Sequence, residues 1–331
     1  MSKLLQTISD HVLASFGNPV RLRRFLGDRP DFKAQLLAPE NNIDMARVPK
    51  WHRFNEIGSG VAGRRNARLE LMGWRNQGNR YGSFTASCPA LANLVRHSVV
   101  DAWSFDLQDM HGFAASKSKL ETFSSMDEMV RTNSREMIGD ISAEGLRKNL
   151  AHGEIRLQRE NSTDRVQVHQ WDQRMFVVND GGSHHLAAAK YIAARIGAPV
   201  LLQAPLHYYS INEEAVALLR TEYDIYLVSD KPEVANPFFE AMQSYGATWL
   251  WHALPQPYEQ GKAIFLPREE PQSMRVSQAF REAGFPEFGQ YLADVARSGT
   301  PEVMLRRLHL QEPSVVDSSD DDEADSSAPR G

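Results

Sequence analysis

Hydrophobic and polar positions change period several times along the chain, and the sharpest change falls between Arg165 and Ser210. Val166 and Val168 alternate with Gln167 and His169, the two-residue period of a strand. Met175 to Val178 is a continuous apolar run of the kind found in a strand covered on both faces, and Asp172-Gln173-Arg174 predicts the hairpin turn between the two. After Asn179-Asp180-Gly181-Gly182-Ser183 the period becomes helical. Leu186, Ala189, Ala193 and Ile196 recur at spacings of three and four, Ser183 is placed as the N-cap, and Gly197 with Pro199 ends the helix. Pro199 to Leu202 restores a buried strand.

The flanking segments carry weaker patterns. Leu4, Leu5, Ile8, Val12, Leu13 and Phe16 predict a first helix, and Arg21 to Leu26 a short second one packed through Leu22, Phe25 and Leu26. Residues 40 to 83 are rich in Asn, Gly and Arg with little periodicity, and Trp51 to Ile57 makes a poor strand. Cys88 to Val100 reads as helix, Ala102 to Leu107 as strand, Ser125 to Met137 as a helix capped by Ser125 with Glu128 three residues on, and Ile141 to Leu157 as one helix capped by Ser142. Beyond the central stretch, Asn212 to Tyr223 predicts a helix with Ala215, Leu218 and Leu219 inward. Strands at Ile225 to Ser229, Thr248 to Leu254 and Ala263 to Leu266, with helices at Pro237 to Tyr245 and within Pro271 to Arg297, complete a βαββα run. Trp249, Trp251 and His252 read as core rather than as a stacking platform for bases.

A chain of 331 residues, 42% hydrophobic and 24% charged, has the composition of a soluble globular protein of more than one domain. No run approaches membrane-spanning length, and Asp10 and His11 interrupt the first apolar stretch, so a cytoplasmic protein without a membrane partner is expected. The single cysteine, Cys88, excludes an internal disulfide and reads as a small buried filler. The net charge of -5 hides an asymmetry: residues 1 to 80 carry fourteen Lys/Arg against seven Asp/Glu, and residues 312 to 331 seven acids against Arg330. The tail is too polar to fold and is expected to be disordered. The basic N-terminal region opens a weak nucleic-acid reading through Arg21, Arg23, Arg24, Arg64, Arg65 and Arg68. Gly58-Ser59-Gly60-Val61-Ala62-Gly63 matches a dinucleotide fingerprint in letters, without the strand and helix that should flank it.

The candidate chemistry lies at the glycine turn. A buried strand turning through Gly181 and Gly182 into a helix leaves amides without intrahelical partners at a sheet end, where the helix dipole favours an anion and glycine admits it closely. Gly181, Gly182, Ser183, His184 and His185 are therefore the phosphate-binding candidates, and Asp180, His184 and His185 the catalytic ones. Lys190, two turns on, is too far along the helix to be assumed a ligand. The same letters also fit a plain tight connection, a zinc site of the His184-His185 pair with His169 or His207, or a serine hydrolase without the usual elbow; no metal ligand set is assigned.

The run DGGSHHLAAAKYIAARIGAPV, with its hairpin before and strand after, resembles the core of the ParB and sulfiredoxin superfamily. Gly181, Gly182, Ser183, His184 and His185 fall in order on the glycine-glycine-cysteine-histidine-arginine motif of sulfiredoxins. The resemblance implies nucleotide phosphates held at the start of an alanine-rich helix. Ser183 replaces the thiol that sulfinic-acid reduction needs, His185 replaces an arginine clamp, and Arg220 to Asp224 does not match the second nucleotide motif of ParB proteins.

The expected fold class is a mixed α+β one. A ParB/sulfiredoxin-like core at 141-230 follows a helical segment at 1-40 and a Gly/Arg-rich mixed region at 41-140; an α+β lobe at 231-310 and the tail at 311-331 come after it. The expected function is binding of a nucleotide or other phosphate-bearing ligand, a nucleoside triphosphate with Mg²⁺ being the cofactor implied, with NTP hydrolysis or phosphoryl transfer as its chemistry. Asp180 or an acid from Glu213, Glu214 and Glu222 would hold the metal or act as base. The alternative is a non-catalytic DNA- or RNA-binding protein.

Overall fold

The computed structural model describes residues 18–34, 41–56, 70–157, 162–301 and 304. The first helix, the glycine fingerprint, Arg64, Arg65, Arg68 and the acidic tail lie outside the described residues. Two five-stranded sheets organise the rest, which makes the protein a mixed α+β one.

The central stretch forms the first sheet's middle. β5 (Arg165–His169) and β6 (Met175–Val178) pair as an antiparallel hairpin around Gln173, whose φ is 69°. β7 (Leu201–Ile211) lies parallel to β5, and β3 (Val95–Asp106) runs antiparallel along β7. β4 (Met110–Phe113) closes the other edge parallel to β6. Met175 and Val177 join the core under helices α3 (Met126–Asn133), α4 (Ala143–Leu150) and α5 (Ser183–Ile196), whereas Phe176 between them faces the second sheet. The continuous apolar run is thus a strand covered on both faces.

The second sheet is antiparallel throughout, in the order β2 (Arg80–Ser87), β1 (Glu70–Gln77), β9 (Trp249–Ala253), β10 (Gly261–Pro267), β8 (Tyr223–Ser229). One face packs on α1 (Val20–Asp28), α7 (Pro232–Tyr245) and α8 (Pro271–Glu282) through Leu22, Phe32, Phe238, Phe280 and Ile264. The other meets the first sheet together with α6 (Glu213–Glu222) and α9 (Phe288–Arg297). Trp249 and His252 are buried as expected of core residues, and Cys88 is buried with its thiol pushed up to about 11 by desolvation.

Several elements differ from the sequence reading. Only α2 (Pro89–Ala92) of the expected Cys88 helix forms; Val95, Val99 and Val100 continue as β3 because pairing with β7 overrides a spacing that suits either period. The β1–β2 hairpin falls in a segment with little periodicity, and Trp51–Glu56 is 3₁₀ helix. The expected 141-230 core does not close on itself: β3 and β4 come from before it, and β8 belongs to the other sheet. Leu218 is exposed, and Val216 takes the inward place with Ala215 and Leu219.

The two serine caps hold: Ser125 Oγ accepts from Glu128 N, and Ser142 Oγ from Gly145 N, although both helices are shorter than expected. Removing the first hydroxyl in Ser125→Ala is expected to cost about 1 kcal/mol, read as a lower urea midpoint with unchanged slope.

Candidate functional site

The glycine turn opens on a cleft of about 660 Å³. Its first wall is the predicted one: Asp180, Gly181, Gly182, Ser183, His184 and His185 all line it. Its second wall comes from three segments distant in sequence, the Ala115–Ser118 loop after β4, Asn133 to Met137 at the end of α3, and His152 with Glu154 after α4. The loop reaches the turn because β4 pairs with β6, and the other two segments do so because α3 and α4 both pack on α5.

Gly182 has φ 74° and is itself the N-cap, so Ser183 is the first helical residue rather than the predicted cap. The Ser183 hydroxyl donates to Ser116 Oγ at 2.9 Å instead of capping. Leu186 N–H is the first to bond back along the helix, to Gly182 O at 2.9 Å, so the amides of Ser183, His184 and His185 precede the intrahelical ladder. Gly182 N–H donates to the Glu154 carboxylate at 3.3 Å, and this bond, helped by the Lys117 charge, lowers the pKa of Glu154 below the usual carboxylate range. An anionic oxygen of the chain already sits on the first amide of the turn.

His184 is held at both ring nitrogens, Nδ1 by the Ser134 hydroxyl and Nε2 by Ser118 Oγ at 3.1 Å. Ser134 is buried, and among the described residues its proton has no acceptor besides Nδ1. Leaving a buried donor unmade costs about 1–3 kcal/mol, which selects the tautomer in which Ser134 donates to Nδ1 and Nε2–H donates to Ser118. Asn133 Nδ2 also donates to Ser118 Oγ, at 2.7 Å. With both lone pairs of its oxygen filled, Ser118 can offer the cleft only its proton. It is a fixed donor, suited to an acceptor-rich ligand.

Burial lowers the pKa of His184 and of His185, the latter further through His152, so both imidazoles are neutral at pH 7. They can present hydrogen bonds or a lone pair there. Asp180 is exposed, 3.9 Å from Arg156, and its amide donates to Asp164 at 3.3 Å. Lys190 turns away to the Met110 carbonyl, in keeping with its exclusion from the ligand set.

Other predicted positions do not converge here. Glu214 pairs with Arg96 and Glu222 lines a separate cleft beside Arg75, so the acids at the turn are Glu136, Glu154 and Asp180. Among the described residues no three His, Cys, Asp or Glu side chains are grouped to hold a metal ion. His169 and His207 lie in a ring stack with His52, His97 and Tyr209, away from the turn. Arg21 and Arg23 pair with Glu240 and Glu282 across α7 and α8, which occupies part of the basic face that the nucleic-acid reading relied on, and Arg24 also has a partner.

What fold and site define is an α+β protein of two packed sheets with a donor-lined cleft at a glycine turn. The chain belongs to a family of unknown function, DUF6685, whose family model matches residues 100–301. That span includes both walls of the cleft and every strand except β1, β2 and the first five residues of β3. Among curated proteins and among solved structures, none matches the chain. No described helix is long and apolar enough to cross a membrane.

Proposed function

We propose that the cleft binds a phosphate-bearing ligand, best represented by a nucleoside triphosphate with Mg²⁺, and that the half of the molecule around the first sheet is a divergent ParB/sulfiredoxin-like core. The observation that carries the reading is the Glu154 carboxylate on Gly182 N–H: the turn takes an anionic oxygen, and the Ser183, His184 and His185 amides follow it into the cleft. Ser118, reduced to a donor, and Lys117 supply further contacts of the kind a phosphate accepts. The core assignment is supported by the order hairpin, glycine turn, helix, parallel strand.

Charge decides how such a ligand enters. Three carboxylates, Glu136, Glu154 and Asp180, share the cleft with one ammonium, Lys117. A bare polyphosphate would meet net repulsion, whereas a Mg²⁺ complex arrives with about half of its charge neutralised. Mg²⁺ is commonly held by one or two carboxylates plus substrate phosphates, which Glu136 and Asp180 can provide without a protein cage of their own.

A panel of nucleoside triphosphates tested by thermal shift with and without Mg²⁺ checks the reading. A rise in melting temperature with at least one nucleotide, dependent on Mg²⁺, is expected; no shift at millimolar concentrations excludes it. Because Glu154 competes for the same amide, Glu154→Gln is expected to tighten nucleotide binding several-fold, measured by calorimetric titration. Weakened binding in that variant would instead make Glu154 a ligand of the metal.

A further inference from the structure

His185 sits in a setting that fixes where its proton lies. The Asn149 side chain is buried, and its Nδ2 donates to Gly145 O at 2.9 Å and to Met137 O at 3.0 Å. Both amide hydrogens are therefore committed, and Oδ1 is left as an acceptor alone. His185 Nδ1 lies 3.0 Å from that oxygen. The neutral imidazole must carry its proton on Nδ1, and Nε2 is an unprotonated lone pair.

The second ring face is fixed as well. His185 stacks on His152 with ring centroids 3.6 Å apart and planes at 17°. His152 is itself held by the Glu154 amide, which donates to its Nδ1 at 3.3 Å. His185 Nε2 makes no hydrogen bond among the described residues, and it is not buried; both histidines line the cleft. An oriented neutral imidazole with a free lone pair in a ligand cleft is what proton abstraction requires. Serving only to join α4 to α5 would need the Asn149 bond and nothing on the other nitrogen.

We propose that His185 is the general base of a hydrolytic reaction at the terminal phosphoanhydride of the bound nucleotide, with Asn149 as its positioning residue; the inference rests on the phosphate-ligand reading above. His185 Nε2 takes a proton from water as the water oxygen bonds to the terminal phosphorus. The bridging P–O bond breaks, its electron pair leaves with the shortened nucleotide, and the imidazolium returns the proton to solvent. Water is the only co-reactant. The groups facing the imidazole are His152, His184, Glu136 and Glu154. The two carboxylates favour the imidazolium that forms, and His152 limits how long it persists.

Phosphate release from ATP, GTP, CTP and UTP by the full chain with Mg²⁺ tests this, alongside His185→Gln and Asn149→Ala. His185→Gln is expected to lower kcat about 100-fold with KM nearly unchanged, the usual scale of a lost general base. Asn149→Ala should cost less and move the acid limb of the kcat–pH profile, which a purely structural contact would not do. Nitrogen-detected NMR of the wild-type imidazoles gives a reading independent of variant folding, and Nδ1–H is the expected tautomer of His185. An Nε2–H tautomer, unchanged kcat in His185→Gln, or no phosphate release by the wild type overturns the base. A non-hydrolysable imido analogue separates the two readings: a thermal shift without turnover leaves the phosphate site standing and removes the base, and no shift removes both.

Discussion

Gly182→Ala is expected to lose about 2 kcal/mol of stability and, with it, nucleotide binding. The backbone there has φ 74°, a conformation that costs an L side chain energy whatever the surrounding space. Space is also lacking: a Cβ would stand 2.9 Å from the Glu154 carbonyl oxygen, 3.0 Å from its carbon and 3.2 Å from Ile155 Cγ1. Relief requires the 154–155 backbone to withdraw from the turn, which removes Glu154 from Gly182 N–H and reshapes the wall facing the helix start. Gly181→Ala provides the contrast. Its Cβ would meet Glu154 Cβ at 3.5 Å, an ordinary contact, and its φ is not positive, so near-native stability is expected. Urea unfolding and nucleotide thermal shifts on both variants check this; equal behaviour would show that the left-handed turn is not what shapes the site.

Acid is expected to destabilise the fold well above the pH at which carboxylates protonate. His52 is pushed down to about 4, chiefly by burial and then by Arg53 and Lys50, and His169, wholly buried, is held well below its ordinary value by burial and by His52. Their rings lie 5.5 Å apart, and both stack against Tyr209. In the unfolded chain each binds a proton near pH 6.5, whereas in the folded state His52 stays neutral until about 4. The unfolded state therefore holds more protons throughout this interval, and stability, complete above pH 6.5, falls as the pH drops through it. The loss by pH 5 comes to about 2 kcal/mol for His52, and His169 adds to it in the same direction. Urea unfolding at pH 7.5, 6 and 5 measures it, and a flat dependence over that range would contradict the neutral buried pair.

The contrast between these two regions shows what local pattern can reveal. The hairpin, the glycine turn and α5 were legible because each is specified within a few residues: alternation at Val166 to Val168, an apolar run at Met175 to Val178, two glycines before a helical period. The first wall of the cleft follows from that stretch alone. The second wall does not, since Ser118 reaches the turn only through the pairing of β4 with β6, and Ser134 and Glu154, with Asn149 behind His185, only through the packing of α3 and α4 on α5. The one local hint was the polar run Ser116-Lys117-Ser118 following the apolar β4, a common loop composition with no period to mark it. β3 was hidden for a different reason. Leu91, Leu94, Val95 and Val99 satisfy a helical spacing, and a twelve-residue edge strand whose first seven positions are mostly exposed shows little alternation to set against it. The β1–β2 hairpin, with Gly73, Gly78 and Gly82 and few buried side chains, likewise depends on its neighbour β9. The histidine stack joins residues from β3, β5, β7 and the Trp51–Glu56 turn, separations no linear pattern conveys.

Because the amides of Gly182, Ser183, His184 and His185 are where a phosphate would sit, they are also the most direct reporters. Amide chemical shifts of the ¹⁵N-labelled full chain, followed during titration with inorganic triphosphate and Mg²⁺, should show saturable perturbations concentrated at those four positions and at Ser118. Perturbations confined to other surfaces, or none at millimolar triphosphate, would contradict a phosphate site at the glycine turn.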